Sequence, residues 1–182
     1  MVEAIKKEKK EKIKLAVKNI WGNVLFYTLY LGAIPFAVYF LHNDFEKFIR
    51  FSLKIPTLPI IGYFAIIFGL VLNVITLYFL WKKGKGTNAI TEQSKLLVAE
   101  GPLKVVRNPC HLGVIICIIG YAIISGSVLY LVYALLYFIG VDIYLRLYEE
   151  KLLEKKFGIQ YVVYKQSVPK WLPFRIFKKG SK

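Results

Sequence analysis

The stretch "LGVIICIIGYAIISGSVLYLVYALLYFIGVDIYL", Leu112 to Leu145, contains one charged residue, Asp142. As a single helix it would run about 51 Å at 1.5 Å per residue, far beyond a hydrocarbon core of ~30 Å. It must therefore turn back. The break is expected at Ser125–Gly126–Ser127, where two small polar residues flank a glycine. The result is a helical hairpin with a short first arm.

Two further apolar blocks precede it. "IWGNVLFYTLYLGAIPFAVYFL", Ile20 to Leu41, is long enough to cross a membrane, with Pro35 as a candidate kink. "PIIGYFAIIFGLVLNVITLYFLW", Pro59 to Trp81, ends in an aromatic anchor followed by "KKGKG". The linker 42–58 places Phe45, Phe48, Ile49 and Leu53 between charges, the spacing of a short helix lying in the interface. The expected fold is all-α and polytopic, with about four transmembrane spans, a C-terminal hairpin and a polar tail. Three regions follow: a basic N-terminal helix at 1–19, the first two spans at 20–82, and a region at 83–182 made of the polar loop, the hairpin and the tail.

Mean hydropathy is +0.51 and 57% of residues are hydrophobic, too apolar for a soluble domain of 182 residues. The net charge of +15 could suggest nucleic acid, but its placement argues otherwise. Of 26 Lys and Arg, 7 lie in residues 1–18, 6 in 82–111 and 10 in 146–182. This alternation is the positive-inside signature, with basic residues facing anionic lipid headgroups. It places both termini and the 83–106 loop in the cytoplasm, and excludes nucleic acid as a partner. The start, "MVEAIKKEKKEKIKLAVKN", carries too many charges for a signal peptide and reads as a retained cytoplasmic helix. Cys110 and Cys117 form no CxxC pair, and His42 and His111 make no zinc-ligand spacing, so no metal is expected.

Two polar constellations border the hairpin. In "VRNPCHLG", Asn108 stands at the N-cap position and Pro109 at the first helical position, where a missing N–H costs nothing. The amides of Cys110 and His111 then carry the positive end of the helix dipole, beside Arg107, a natural seat for a carboxylate. The plain alternative is a capped transmembrane helix with an interfacial arginine. In "GVDIYLRLYEEKLLEKKFG", Asp142, Arg146, Glu149 and Glu150 fall on one arc of a helix. They form either an ion-pair ladder, Asp142–Arg146–Glu150, or a set of carboxylates waiting for a cation. The hairpin brings both constellations to the same face of the membrane, a site suited to a zwitterionic ligand.

The order "EGPLKVVRNPCHLG … EEKLLEKKFGIQYVVYKQSVPKWLP" resembles the isoprenylcysteine carboxyl methyltransferase and phospholipid methyltransferase family of integral membrane enzymes. The resemblance covers about residues 83–174. It implies methyl transfer from S-adenosylmethionine, with cofactor contacts at Gly101, Arg107, Asn108, Pro109, Cys110, His111, Gly113, Glu149 and Glu150. Arg146 and Glu149 are the candidate catalytic residues. Leu103 and His111 replace the two tyrosines of the first motif.

The methyl of a sulfonium is already activated, so the protein chiefly has to align two groups and exclude water. The leading expectation is a carboxylate acceptor, such as that of an isoprenylcysteine, which needs no base but does need a guanidinium to place it. Arg146 is the first candidate and Arg107 the second. An amine acceptor, as on a phospholipid, needs a base, with His111 or Glu149 at hand. The expected partners are a lipophilic or prenylated substrate and membrane lipids. A sterol-reductase-like enzyme using NADPH shares a similar Arg-His-Pro motif and is the rival reading. The adjacent glutamates before "LLEKKFG" favour the methyltransferase.

Overall fold

The computed structural model describes residues 22, 24–45, 58–84 and 94–172. The basic start, most of the interfacial linker and the last ten residues lie outside the described residues, as do the expectations that fall on them. Among the described residues every regular element is helical. Helix α1 covers residues 24–45, with a π-helical turn at Thr28–Ala33 and regular α-helix over Ile34–Phe45. Helix α2 is Leu58–Gly84, α3 the single turn Pro102–Val105, and α4 Pro109–Ser125. Helix α5 runs over Val128–Phe157 and includes a π-helical turn at Leu145–Glu149. Helix α6 is Ile159–Ser167.

Three of these are long and apolar enough to cross a membrane: Val24–Leu41, Pro59–Gly84 and Val128–Phe157. The 17 residues of α4 reach only about 26 Å, and the helix is sheltered between α2 and α5. The hairpin turns where expected. Gly126 adopts the left-handed conformation (φ 66°) and Ser127 is extended, so α4 ends and α5 begins within two residues. At 30 residues, α5 is about 45 Å long, so it outruns the apolar layer and carries its polar last turns to the site.

Helices α2 and α4 pack antiparallel on reciprocal glycines. A Cβ on Gly62 would lie 2.8 Å from the Gly120 carbonyl, and one on Gly120 equally close to the Gly62 carbonyl. Gly69 and Gly113 oppose one another in the same way, seven residues along each helix. Small residues let backbones approach where lipid supplies no hydrophobic drive for helix association. Gly113, a candidate cofactor contact from the sequence, is thus spent on this seam, pressed against Asn73 and the backbone of Gly69.

Pro35 acts through its missing N–H. Leu31 would have accepted that bond, and the Ile34 N–H reaches back to Leu29 instead. The carbonyls left over are taken by hydroxyls: Tyr121 donates to Leu31 O (3.1 Å) and Tyr133 to Tyr30 O (3.0 Å). Tyr130 donates to the Pro35 carbonyl at 2.8 Å. Tyr130, Tyr133 and Tyr137 lie at helical spacing on one face of α5, so this stripe ties α1 to the hairpin.

Candidate active site

The polar end of the hairpin is closed by the tail. The Arg107 amide donates to Pro169 O at 2.9 Å, and Tyr164 Oη donates to Leu103 O at 2.7 Å. Tyr164 and Pro169 of the tail therefore fold back over the Leu103–Arg107 segment. Leu103, standing where the family pattern has tyrosine, is buried beneath Tyr164. Asn108 occupies the N-cap of α4 but makes no side-chain capping bond. Its amide instead reaches toward Lys170 O at 3.5 Å, a correction to the expected cap.

The two glutamates divide the work. Glu150 is buried and bonded on both oxygens, Oε1 to Arg107 Nη1 (2.9 Å) and Oε2 to Lys165 Nζ (2.7 Å). Lys165 also meets Glu154 at 2.9 Å, and these two carboxylates hold its ammonium above the ordinary lysine range. Glu149 makes no ion pair among the described residues and lines a cavity instead. Successive residues on a helix face different ways, and the π-helical turn just before them, with the Glu150 amide bonded to Leu145 O five residues back, sets how both acids face relative to the rest of α5.

The cavity holds about 80 Å³ and is open on one side, too small to enclose a nucleoside whole. Of the sequence-derived candidates, Arg107, Asn108, Pro109, Cys110, His111 and Glu149 line it. Thr76, Ser94, Tyr161 and Tyr164 line it as well and were missed. A signal for them existed. Thr76 is a polar residue inside an apolar span, and Tyr161 and Tyr164 lie three residues apart on one face of α6. Burial is the main cause that pushes the Tyr161 phenol up to about 12, with the Glu150 charge adding to it. Arg107 Nε is buried and has no hydrogen-bond partner among the described residues.

Three candidates fall elsewhere. Arg146 is 70% exposed and paired with Asp142 at 2.6 Å, outside the cavity. Asp142 is held by Lys170 (2.6 Å) and the Trp171 indole (2.8 Å) as well, so the ladder stops at Arg146 and does not continue to Glu150. Gly101 is exposed, with φ +56° and the Phe79 ring 2.6 Å from where a Cβ would stand. It serves a tight turn that side chains rarely adopt. Gly113 is in the α2–α4 seam.

At the inner wall, His111 Nδ1 lies 3.0 Å from Tyr137 Oη, with the Phe26 ring edge-on at 5.7 Å. Beside it, Tyr27 Oη donates to Asn73 Oδ1 (2.9 Å) and Asn73 Nδ2 to Gly69 O (2.9 Å).

Membrane-spanning helices that close a cavity at one end, with Glu149, unpaired among the described residues, on its wall, define a polytopic membrane protein. Residues 58–160 match the family described as phospholipid methyltransferase. The match covers more than half of the chain, which therefore belongs to this family of integral membrane methyltransferases. No curated protein and no solved structure matches the chain.

Proposed function

We propose that the protein transfers a methyl group from S-adenosylmethionine to the polar group of a lipophilic acceptor that reaches the cavity from the membrane. The cofactor's part, when bound, is to supply a methyl that is already electrophilic. The supporting observation is the donor set on the cavity wall. The Arg107 Nε–H has no acceptor among the described residues, and the Cys110 and His111 amides precede the first intrahelical acceptor of α4. Together they suit the amino-acid carboxylate of the cofactor. Glu149 faces the same space and suits its ammonium or its ribose hydroxyls. Glu150, Arg107 and Lys165 then act as the frame that fixes these groups. Basic residues at this end agree with a cytoplasmic placement of the site.

The acceptor is the finer question. A carboxylate, as on an isoprenylcysteine, calls for a free guanidinium. Arg146 points away from the cavity, and Arg107 is committed to Glu150. With the remaining Arg107 donor assigned to the cofactor carboxylate and Arg146 outside the cavity lining, no guanidinium is left to place an acceptor carboxylate, which supports an amine acceptor.

Calorimetric titration of the detergent-solubilised protein with S-adenosylhomocysteine, against NADPH as control, tests the cofactor. Binding of the first and not the second is expected. Glu149→Gln should weaken it at least ~10-fold, about 1.4 kcal/mol, without loss of folded protein. Parental affinity in this variant would remove Glu149 from the site.

A further inference from the structure

His111 stands where the first motif has a tyrosine, and the structure gives it a partner of its own. Nδ1 is engaged by Tyr137 Oη at 3.0 Å and the residue lines the cavity, so Nε2 is the ring nitrogen that Tyr137 does not take. The orientation is firmly set. Phe26 meets the ring edge-on from α1, and Tyr137 comes from the tyrosine stripe that anchors α1 to α5. Tyr137 is itself braced by Tyr30 and Tyr133, with ring centroids 5.0 and 6.4 Å away. An imidazole held through one nitrogen at a cavity wall keeps the other for proton transfer.

We propose that His111 is the proton acceptor of the cavity, positioned through Nδ1 by Tyr137, and that the group methylated is one that must shed a proton before it reacts. The assignment rests on the methyltransferase reading above. An ammonium has no lone pair to offer. Its N–H bond breaks, the electron pair stays on nitrogen, and the proton moves to the lone pair of His111 Nε2. The imidazolium so formed donates Nδ1–H to Tyr137 Oη and later returns its extra proton to water. Tyr137 is a positioning residue in this scheme. The other titratable groups that share its cavity are Cys110, Glu149, Tyr161 and Tyr164, and Tyr30 and Tyr133 pack on its partner Tyr137. Arg107 and Lys170 supply the nearby positive charge, each tied to a carboxylate.

The chain has two histidines, so His42→Asn leaves a single imidazole for ¹⁵N spectroscopy. The proposal expects a neutral ring at pH 7 with the proton on Nδ1 and a bare Nε2, and a shift toward the other tautomer in Tyr137→Phe. A proton on Nε2, or an imidazolium at pH 7, overturns it. The second arm is single-turnover methyl transfer from S-adenosylmethionine to phosphatidylethanolamine vesicles, with vesicles bearing a farnesylated cysteine as the carboxylate control. His111→Gln is expected to be at least ~10-fold slower than the parent at pH 7. The gap should close toward pH 10, where an amine releases its proton unaided. Affinity for S-adenosylhomocysteine should stay at the parental value. An equal deficit at every pH, or a parallel loss of that affinity, would mean a structural role and sink the assignment. A parent that transfers methyl to neither vesicle sinks the functional reading itself, whatever the tautomer. A base-labile ester as sole product overturns the need for a base.

Discussion

Two π-helical turns, Thr28–Ala33 in α1 and Leu145–Glu149 in α5, use the same backbone irregularity for different ends. In the first, Pro35 withdraws a donor and tyrosine hydroxyls from α4 and α5 satisfy the freed carbonyls. Every group involved is uncharged, and the outcome is a joint between helices. In the second no proline intervenes. The extra residue lets Glu150 enter a buried ion-pair network while Glu149 faces the cavity. An irregular turn inside the apolar layer must be silenced by local donors. At the polar end it can be used to aim side chains.

If that contrast is right, the largest effect belongs to Glu150. Glu150→Gln leaves Arg107 buried without its counter-charge, and breaking such a pair costs ~3–5 kcal/mol. Thermal unfolding in detergent should show a large drop in midpoint, with cofactor affinity falling alongside. Glu149→Gln should leave the midpoint near the parent. Equal midpoints for the two variants would erase the distinction between the frame and the ligand group.

The next effect is on the silent turn. Tyr121→Phe and Tyr133→Phe each strip one donor from a freed carbonyl and should cost ~0.6–1.5 kcal/mol apiece. Neither should change cofactor affinity, since both lie away from the cavity lining. A large affinity loss from either would show that the α1 joint is part of the site.

A smaller effect sharpens the electrostatics of the network. The Tyr161 phenol is raised to about 12 and the Lys165 ammonium lies above its usual range. For groups raised in the fold, the stabilisation is complete below their unfolded values, near pH 10, and is lost as pH climbs through the folded ones. Lys165 is 37% exposed, so solvent screens its share. Stability in detergent should hold to about pH 10 and decline above it, and Tyr161→Phe should soften that decline. A steeper decline in the variant would place the alkaline sensitivity elsewhere.

Much of this architecture is legible in the sequence because lipid imposes a strict length rule. The hairpin over Leu112–Leu145 could only fold back, and Ser125–Ser127 was the place to do it. The motif segments also pointed to Arg107 to His111 and Glu149 lying together, and all of them line one cavity. What stayed hidden depends on backbone detail. Nothing in "YLRLYEE" announces an extra residue per turn, so Glu149 and Glu150 read as one acidic pair. The glycine seam was equally silent, because Gly69 and Gly113 become a pair only once α2 and α4 are antiparallel in the right register. Gly113 therefore looked like a cofactor contact.

Arg146 carries the smallest prediction and a sharp one. Its guanidinium is 70% exposed, and its partner Asp142 keeps Lys170 and the Trp171 indole if the arginine is removed. No buried charge is orphaned, so the destabilisation expected is that of an exposed pair, ~0–1 kcal/mol. Arg146→Lys keeps the charge but loses the planar fork that would grip a carboxylate. With a guanidinium that never meets the cavity, single-turnover methyl transfer should stay within about twofold of the parent, or ~0.4 kcal/mol, with cofactor affinity unchanged. A selective fall in turnover at parental affinity would bring Arg146 into contact with the acceptor. It would also return the carboxylate reading to first place and make the turn at Leu145–Glu149 a device for two side chains rather than one.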